Sequence, residues 1–252
     1  MTLQIQNAKQ MPLRPCHYLL VGQAGAGKTT QAASFPEPFF IVSSAEPGLL
    51  NLRGKNVKYV MVETADEMFE ACELAINAKP GTIVIDSLSV HLDHLVRQIE
   101  ARKGKLEGSD WGEVVRHPVI LDDYLRQAPV NVVYTVFANP PETDKITNRS
   151  CSTPMLYGKL ARRFPGKCEF VIYLDSISKP NGANAPIIER RAWFQADGMF
   201  EAKCNLDLDP PFPPFVTLQK GRLWPDVIEP KLRGNGAEMV STPAPRKTAA
   251  AR

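Results

Sequence analysis

The feature that most constrains this chain is a glycine-rich octapeptide that directly follows a short apolar run. Residues 18–21 read YLLV, and residues 22–29 read GQAGAGKT, which fits the pattern GxxxxGK[ST]. Because three of the eight residues are glycines, the backbone can curl tightly and turn several N–H groups toward one point. Such a nest binds phosphate, so the pattern predicts a buried strand, a phosphate-binding loop and the start of a helix.

The polar side chains of this loop indicate how a nucleotide would be held. Lys28 can reach the β and γ phosphates, and the Thr29 hydroxyl can ligate Mg²⁺. We expect the whole segment to bind the nucleotide, and its members are Gly22, Gln23, Ala24, Gly25, Ala26, Gly27, Lys28, Thr29 and Thr30.

Two acidic residues follow later strand signals. Residues 39–42 and 82–85 are short apolar runs typical of buried parallel strands. Asp86 directly follows the second run, where an acid can hold the water shell of Mg²⁺ opposite Thr29. Glu46 follows the first run, and ligands of such sheets bind beyond the carboxyl ends of the strands. We therefore expect Glu46 to be the general base, with a solvated loop carboxylate as the alternative.

The longest strand signal, residues 130–137, ends two residues before Asn139. At that position the side-chain amide can hydrogen-bond a γ phosphate or an attacking water. A simple turn residue before Pro140 and Pro141 is the alternative interpretation of Asn139.

The remaining pattern predicts an α/β fold with a mostly parallel sheet. Strand signals lie at 57–62 and 170–174, and amphipathic helices are predicted from the capping-box spacing at 64–67 and over 88–99. Residues 102–112 are polar and contain several glycines, which predicts a loop. A turn at 179–182 and an alternating stretch at 190–194 predict a small antiparallel hairpin at the edge of the sheet.

Composition supports one main domain in an ordinary globular protein. The chain has 252 residues, of which 44% are hydrophobic and 23% charged. We predict an N-terminal arm at 1–15, a core at 16–209, a C-terminal extension at 210–240 and a disordered tail at 241–252. The chain lacks an apolar run of the roughly 20 residues that span a membrane, which predicts a cytoplasmic protein. The five cysteines contain no CxxC pair, and the histidines have no metal-ligand spacing, so a metal site formed by these residues is not expected.

Basic residues cluster after the long strand. Between residues 140 and 170, six basic side chains outnumber three acidic ones. This excess could engage a nucleic-acid backbone, although a solvated charged face is the alternative. The candidate DNA-binding residues are Lys145, Arg149, Lys159, Arg162 and Arg163.

Taken together, these segments resemble the RecA-like P-loop ATPases of the AAA/RecA-core family, and within them the phage-encoded branch that includes single-strand annealing ATPases. The resemblance rests on residues 22–30, 39–48, 82–89, 111–114, 131–139 and 158–174. It implies ATP and Mg²⁺ as ligands, Glu46 as the residue that activates water, and Asn139 as the γ-phosphate sensor. Many relatives also carry a lysine and an arginine that reach a neighbouring subunit's nucleotide. Here Lys203 matches the lysine and the arginine is absent, so slow or DNA-stimulated hydrolysis is expected.

The resemblance implies an ATPase of phage DNA recombination or replication in the cytoplasm of an infected bacterium. The expected partners are single-stranded DNA, further copies of the chain in a ring or filament, and a single-strand-binding or recombination protein. Two other classes remain open. A P-loop small-molecule kinase would use Arg149, Arg162 and Arg163 as a lid over the phosphates, and a nucleotide-gated adaptor would bind ATP with little hydrolysis.

Overall fold

Six parallel strands form the middle of the molecule and end at a shared edge that carries the phosphate loop. The computed structural model describes residues 14–44, 47–143, 150–182 and 184–234. In this part of the chain the main sheet has nine strands, ordered β11-β9-β8-β1-β5-β4-β2-β3, with β10 paired to β8. Its strands are β1 (His17–Gly22), β2 (Pro38–Ser43), β3 (Lys58–Val62), β4 (Thr82–Asp86), β5 (Asn131–Phe137), β8 (Phe170–Asn181), β9 (Asn184–Trp193), β10 (Lys203–Cys204) and β11 (Phe215–Leu218). Two short strands, β6 (Glu142–Thr143) and β7 (Ser150–Cys151), form a separate pair.

Helices and helical turns cover the sheet. They are α1 (Lys28–Ala32), α2 (Glu67–Asn77), α3 (Leu88–Lys103), α4 (Gly108–Leu125), α5 (Leu160–Arg163) and α6 (Glu229–Gly234), with 3₁₀ turns at Pro47–Leu52 and Phe164–Lys167 and a π-helical turn at Trp224–Ile228. This architecture confirms the predicted α/β P-loop fold with a mostly parallel sheet and an antiparallel edge.

Successive side chains of β1 point to opposite faces of the sheet, where they contact two separate core layers. Leu19 and Val21 face the layer that contains α2, α3 and α4, whereas Tyr18 and Leu20 face the layer that contains α1 and the C-terminal segment. All four side chains are almost completely buried. A parallel strand buried on both faces needs a continuous apolar run, which explains the YLLV sequence that precedes the phosphate loop.

The order of the central strands positions the two halves of the predicted site. β5 lies between β1 and β4 and pairs with both in parallel. Gly22 at the end of β1 is opposite Phe137 at the end of β5, and β4 ends at Asp86. The three carboxyl ends therefore meet at one edge of the sheet, one strand spacing apart.

Local hydrogen bonds explain where the helices begin. The Thr64 and Glu67 spacing forms the predicted cap, because the Glu67 carboxylate accepts from the Glu63 backbone N–H at 2.7 Å and the Thr64 hydroxyl accepts from the Glu67 N–H at 3.4 Å. The Ser87 hydroxyl accepts from the Val90 N–H at 3.4 Å at the start of α3. α2 and α3 therefore each start at a side chain that satisfies a free backbone N–H.

The prediction of a loop over 102–112 was partly wrong, because α4 already begins at Gly108. The Asp110 carboxylate accepts from the Glu107 N–H at 2.9 Å and from the Lys103 ammonium at 2.5 Å. These bonds close the first turn of the helix and offset the cost of its glycines. The helix then continues through Pro118.

The predicted edge hairpin is present and is longer than expected. β8 and β9 pair in antiparallel register from Tyr173 and Trp193 to Asn181 and Asn184. β11 adds a third antiparallel strand on the far side of β9. The first half of β8 is buried between β1 and β10, and its second half carries the hairpin away from the core.

The C-terminal segment 215–234, which lies inside the predicted extension 210–240, packs against α1. Gln31 of α1 donates to the Gln219 carbonyl at 2.8 Å and accepts from the N–H groups of Arg222 and Leu223 at 3.0 and 2.9 Å. The Trp224 ring lies 5.0 Å from the ring of Phe35. The segment is therefore part of the core layer beside α1. The domain boundaries themselves stay a prediction, and most of the arm and all of the tail lie outside the described residues.

A buried polar network joins α4 to the amino end of β1 and the middle of β5. Asp122, whose side chain is fully buried, accepts from His17 Nδ1 at 2.6 Å, from the Tyr134 hydroxyl at 3.1 Å and from Arg126 Nε at 2.9 Å. Its role is structural, since it lies at the end of the sheet opposite the phosphate loop. Within the described ranges no helix is long and apolar enough to cross a membrane.

Candidate active site

The loop between β1 and α1 has the backbone geometry of a phosphate nest. Gly27 has φ of 97° and precedes the first helical residue, a conformation that favours glycine. At Gly22 a Cβ atom would lie 2.5 Å from the Leu174 carbonyl oxygen, so only glycine allows β8 to pack this closely. Two of the motif's glycines therefore serve distinct purposes, one conformational and one steric.

Lys28 is held at the mouth of the loop by its own backbone. Its ammonium donates to the carbonyls of Gly22 and Gln23 at 2.9 and 3.1 Å and lies 4.2 Å from the centre of the Phe137 ring. The residue is only 7% exposed. These contacts direct a nearly buried cation at the loop, where a phosphate group would be neutralised.

Asp86 faces Lys28 and Thr29 from the end of β4. Its Oδ1 accepts from the Thr135 hydroxyl at 2.5 Å, and its buried Oδ2 has no hydrogen-bond partner among the described residues. Burial raises the pKa of this carboxyl, although the neighbouring hydroxyls of Thr135 and Thr29 and the charge of Lys28 act in the opposite direction. A buried oxygen without a partner beside a threonine hydroxyl is a donor set that fits Mg²⁺, which binds hard oxygen ligands.

These groups surround a cavity of about 540 Å³, a volume suited to a small ligand. The loop, β4, β5 and the antiparallel edge all contribute to its wall. The lining residues are Ala24, Gly25, Gly27, Lys28, Thr29, Thr30, Gln31, Gly48, Asn51, Asp86, Ser87, Phe137, Arg190 and Lys220.

Six of the nine predicted loop residues line this cavity, and the other three lie behind its wall. Gly22 and Gln23 supply the carbonyls that hold Lys28, and Ala26 is buried in the core layer beside α1. Thr29 and Asp86, the predicted metal ligands, both line the cavity. Glu46, the predicted base, lies outside the described residues, whereas Gly48 and Asn51, which follow it in the chain, line the cavity.

The side chain of Asn139, the predicted γ-phosphate sensor, bonds to the segment that follows β5, and its role as a sensor stays a prediction. Its side-chain amide donates to the Thr153 hydroxyl at 3.1 Å and to the Pro154 carbonyl at 3.4 Å, and it is not among the cavity-lining residues. The side chain thus joins the end of β5 to the segment before α5. Phe137, two residues earlier, is the residue of this strand that reaches the cavity.

The other predicted residues lie away from the cavity. Lys159, Arg162 and Arg163 are exposed on and just before α5, and Lys145 and Arg149 lie outside the described residues. Lys203 belongs to β10, which pairs with Phe170 and Val171 at the amino end of β8, opposite the phosphate loop. The proposed action of Lys203 on a neighbouring subunit stays a prediction.

Sequence reasoning missed several residues of the site, of which Thr135, Phe137, Arg190 and Lys220 bear most on its chemistry. Thr135 and Phe137 belong to a strand that the sequence predicts, but nothing in the sequence shows that β5 separates β1 from β4. Arg190 and Lys220 come from the antiparallel edge, far along the chain from the loop. The basic turn at 219–222 between two apolar runs was the only available signal for Lys220.

The histidines do not form a metal site in the described part of the chain. His91 Nε2 lies 2.9 Å from His117 Nε2 between α3 and α4, and burial lowers the pKa of His91 to about 3. No group of three or more His, Cys, Asp or Glu side chains suited to a metal ion occurs among the described residues.

Comparison with known proteins agrees with this geometry. No curated protein matched the chain. A family model described as an AAA domain matches residues 14–205, which is more than half of the chain and includes the phosphate loop and Asp86. The chain therefore belongs to the AAA domain family and is a nucleotide-binding protein of the ATPase type.

Proposed function

We propose that this protein is an Mg·ATP-dependent ATPase of phage DNA recombination or replication that binds single-stranded DNA when nucleotide is bound. The observation that carries the ATPase part is the cavity that brings the Lys28 ammonium together with the unpartnered Asp86 oxygen. A phosphate nest and a hard oxygen donor on opposite sides of one cavity suit a metal-bound triphosphate.

Thr29 and Asp86 are the residues that would hold Mg²⁺, directly or through water. When bound, the ion neutralises charge on the β and γ phosphates. Lys28 contributes a positive charge on the loop side, where it exchanges its bonds to the Gly22 and Gln23 carbonyls for bonds to phosphate oxygens. Thr135 keeps the Asp86 carboxylate oriented through its 2.5 Å hydrogen bond.

In hydrolysis, a water oxygen bonds to the γ phosphorus while the bond from that phosphorus to the β–γ bridging oxygen breaks. ADP leaves with the electron pair of that bond, and the proton of the water passes to Glu46. Two features of the described chain support this role for Glu46. β2 ends beside Asp86 in register, since Val42 is opposite Asp86, and Gly48 and Asn51 border the cavity.

We expect the substitution Glu46→Gln to leave nucleotide affinity near that of the wild type and to slow hydrolysis by about 10²–10⁴-fold, the usual contribution of a general base. Phosphate release and titration with a non-hydrolysable ATP analogue measure the two effects separately. Glu73→Gln, an exposed change on α2, is the matched control. Hydrolysis by Glu46→Gln at the wild-type rate would show that another group accepts the proton.

The DNA part of the proposal is supported by contacts that connect the site to the basic segment. Ser89, three residues after Asp86, accepts from the Phe137 N–H at 3.1 Å and donates to the Met155 carbonyl at 3.0 Å. The Tyr157 hydroxyl donates to Asp93 of α3 at 2.8 Å. The residues that precede α5 are therefore bonded to α3, the helix that begins two residues after Asp86, a route by which nucleotide could reposition α5.

The surface next to this segment has the composition of a single-strand binding site. Lys159, Arg162 and Arg163 are exposed, and α5 has no acidic residue. Trp111, which is 40% exposed, lies 5.4 Å from Tyr157, centre to centre. Exposed aromatic rings beside basic side chains can stack bases while the cations contact phosphates.

We expect the double substitution Arg162→Ala, Arg163→Ala to weaken binding of single-stranded DNA measured with the ATP analogue by fluorescence anisotropy. Because each lost phosphate contact lowers the salt dependence, the slope of log affinity against log salt should fall by about 1.4. Lys58→Ala, an exposed lysine at the amino end of β3, should leave the slope unchanged. A double variant with the wild-type slope would place the DNA elsewhere.

A small-molecule kinase is the second candidate, because Arg190 lines the cavity as a lid arginine of a kinase would. ATP labelled at the γ phosphate distinguishes the candidates. Release of free phosphate supports the ATPase, and a labelled ester without free phosphate supports the kinase. Binding with neither product would favour the nucleotide-gated adaptor.

A further inference from the structure

Arg190 is a cation in the nucleotide cavity that comes from the antiparallel edge of the sheet. It lies on β9, opposite Ser176 of β8 and Leu218 of β11. Because side chains alternate along a strand, Arg190 shares a face with the fully buried Ala192. That face belongs to the core layer that contains α1 and packs beneath the phosphate loop.

The charged side chains on either side of Arg190, those of Glu189 and Arg191, point to the opposite face of the sheet and form an ion pair there. The carboxylate of Glu189 pairs with Arg191 at 2.6 Å and also with Lys179. The Arg191 guanidinium lies over the Phe215 ring, 4.7 Å from its centre. Arg190 therefore lies on the opposite face of the sheet from Glu189, the acidic residue of its own strand.

The side chain of Arg190 reaches the phosphate loop itself. Its Cδ and Nε lie 3.7 and 3.8 Å from the position that a Cβ atom would occupy on Gly27. The Arg190 guanidinium makes no hydrogen bond or ion pair among the described residues, although the side chain is half-buried. A partly desolvated guanidinium without a counter-charge, directed at a phosphate nest, is arranged to bind an anion.

The balance of charge in the cavity also favours an anionic ligand. Lys28, Arg190 and Lys220 line it, and Asp86 is the acidic residue among the lining side chains of the described chain. The turn that carries Lys220 is fixed to α1, since Gln31 bonds both sides of it. The positive charge is therefore built into the fold and is not a chance approach of long side chains.

We propose that Arg190 binds the phosphates of the nucleotide held by the same chain's loop and stabilises the charge that develops during transfer. This inference rests on the proposed nucleotide site and goes beyond it by assigning an arginine that acts within one chain. The planar guanidinium can contact two phosphate oxygens at once, a contact that Lys28 cannot duplicate.

The test compares Arg190→Gln with Arg191→Gln, the same chemical change at the adjacent residue on the opposite face. For Arg190→Gln we expect affinity for an Mg·ATP analogue to fall about tenfold. Its hydrolysis rate should fall about 10²–10³-fold, as for other charge-stabilising donors. Arg191→Gln should keep both values, with thermal unfolding as the check that both variants fold. Wild-type binding and hydrolysis in Arg190→Gln would overturn the proposal.

A mixing experiment tests whether Arg190 acts within its own chain. Lys28→Ala retains Arg190 but has lost the loop lysine, and Arg190→Gln retains the complete loop. If the arginine acts in the same chain, the mixture hydrolyses ATP no faster than the sum of the two variants alone. Faster hydrolysis by the mixture would show that the arginine serves a neighbouring copy and would overturn the assignment.

Failure of this inference is distinguishable from failure of the proposed function. If the wild type shows no binding of the ATP analogue by calorimetry, the nucleotide site itself is wrong. If the wild type binds and hydrolyses ATP while Arg190→Gln behaves identically, the site stands and only the role of Arg190 is rejected.

Discussion

Replacement of Lys28 by alanine is expected to abolish measurable nucleotide binding, with a loss of at least about 100-fold in affinity, or about 2.7 kcal/mol. The lysine is nearly buried, and its ammonium lies between the loop carbonyls of Gly22 and Gln23. Lys220, the other lysine that lines the cavity in the described part of the chain, lies on the exposed outer wall and could not replace this charge at the centre of the loop.

Thermal unfolding with and without Mg·ATP measures this loss. A ligand present at 100 times its dissociation constant stabilises the folded state by about 2.7 kcal/mol, so the wild type should unfold at a higher temperature with nucleotide. Lys28→Ala should show no such shift. Lys28→Met keeps an unbranched side chain of similar length without the charge, and so separates a loss of packing from a loss of charge. A nucleotide-induced shift in both variants would contradict the assigned role.

Removal of the Asp122 carboxylate is expected to have the largest effect on stability, about 3–5 kcal/mol. Asp122 is fully buried and accepts hydrogen bonds from His17, Tyr134 and Arg126. In Asp122→Ala the hydroxyl of Tyr134 and the ring nitrogen of His17 would be buried without that acceptor. Since a domain is stable by only about 5–15 kcal/mol, the variant should lose a large part of its folding free energy.

Urea unfolding provides the measurement, and Asp123→Ala is the matched control. Asp123 is the next residue, 60% exposed, and pairs with Lys167 at 2.6 Å, so its loss should cost less than about 1 kcal/mol. If the two variants lose the same stability, the buried network contributes no more than a surface ion pair.

The stability difference between the wild type and Asp122→Ala should also depend on pH. Burial raises the pKa of Asp122, but the hydrogen bonds and charges of His17 and Arg126 outweigh burial and leave this pKa below its ordinary value. A carboxyl with a lowered folded pKa stabilises the fold above its unfolded pKa of about 3.9. This contribution is lost as pH falls below that value, so the difference should shrink in acid.

The parts of the fold that the sequence predicted are those with strong local signals. The YLLV run, the glycine pattern and Asp86 after its apolar run each place a residue at a strand end without knowledge of the neighbours. The hairpin of β8 and β9 was recognised from its turn and its alternating residues. These features depend on a few consecutive residues, whose preferences act over short distances.

The parts of the fold that the sequence did not predict depend on particular side-chain hydrogen bonds, some of them between distant segments. The hydrogen bond from Thr135 to Asp86 requires β5 to lie between β1 and β4. The start of α4 at Gly108 depends on the bonds of Asp110 to Glu107 and Lys103, which outweigh the low helix propensity of glycine. The hydrogen bond from Asn139 to Thr153 likewise could not be read from the sequence. In each case the partner of a particular side chain determines the local structure.

The packing of the C-terminal segment has a practical consequence for the design of truncated forms of this chain. The family match ends at residue 205, but Tyr18 and Phe35 pack against Trp224. A fragment trimmed to the matched region would expose both rings to water and leave Gln31 without its backbone partners. We expect such a fragment to aggregate. The recognisable portion of the sequence is thus shorter than the portion that must fold together, and a fragment with a working loop should run at least to residue 234.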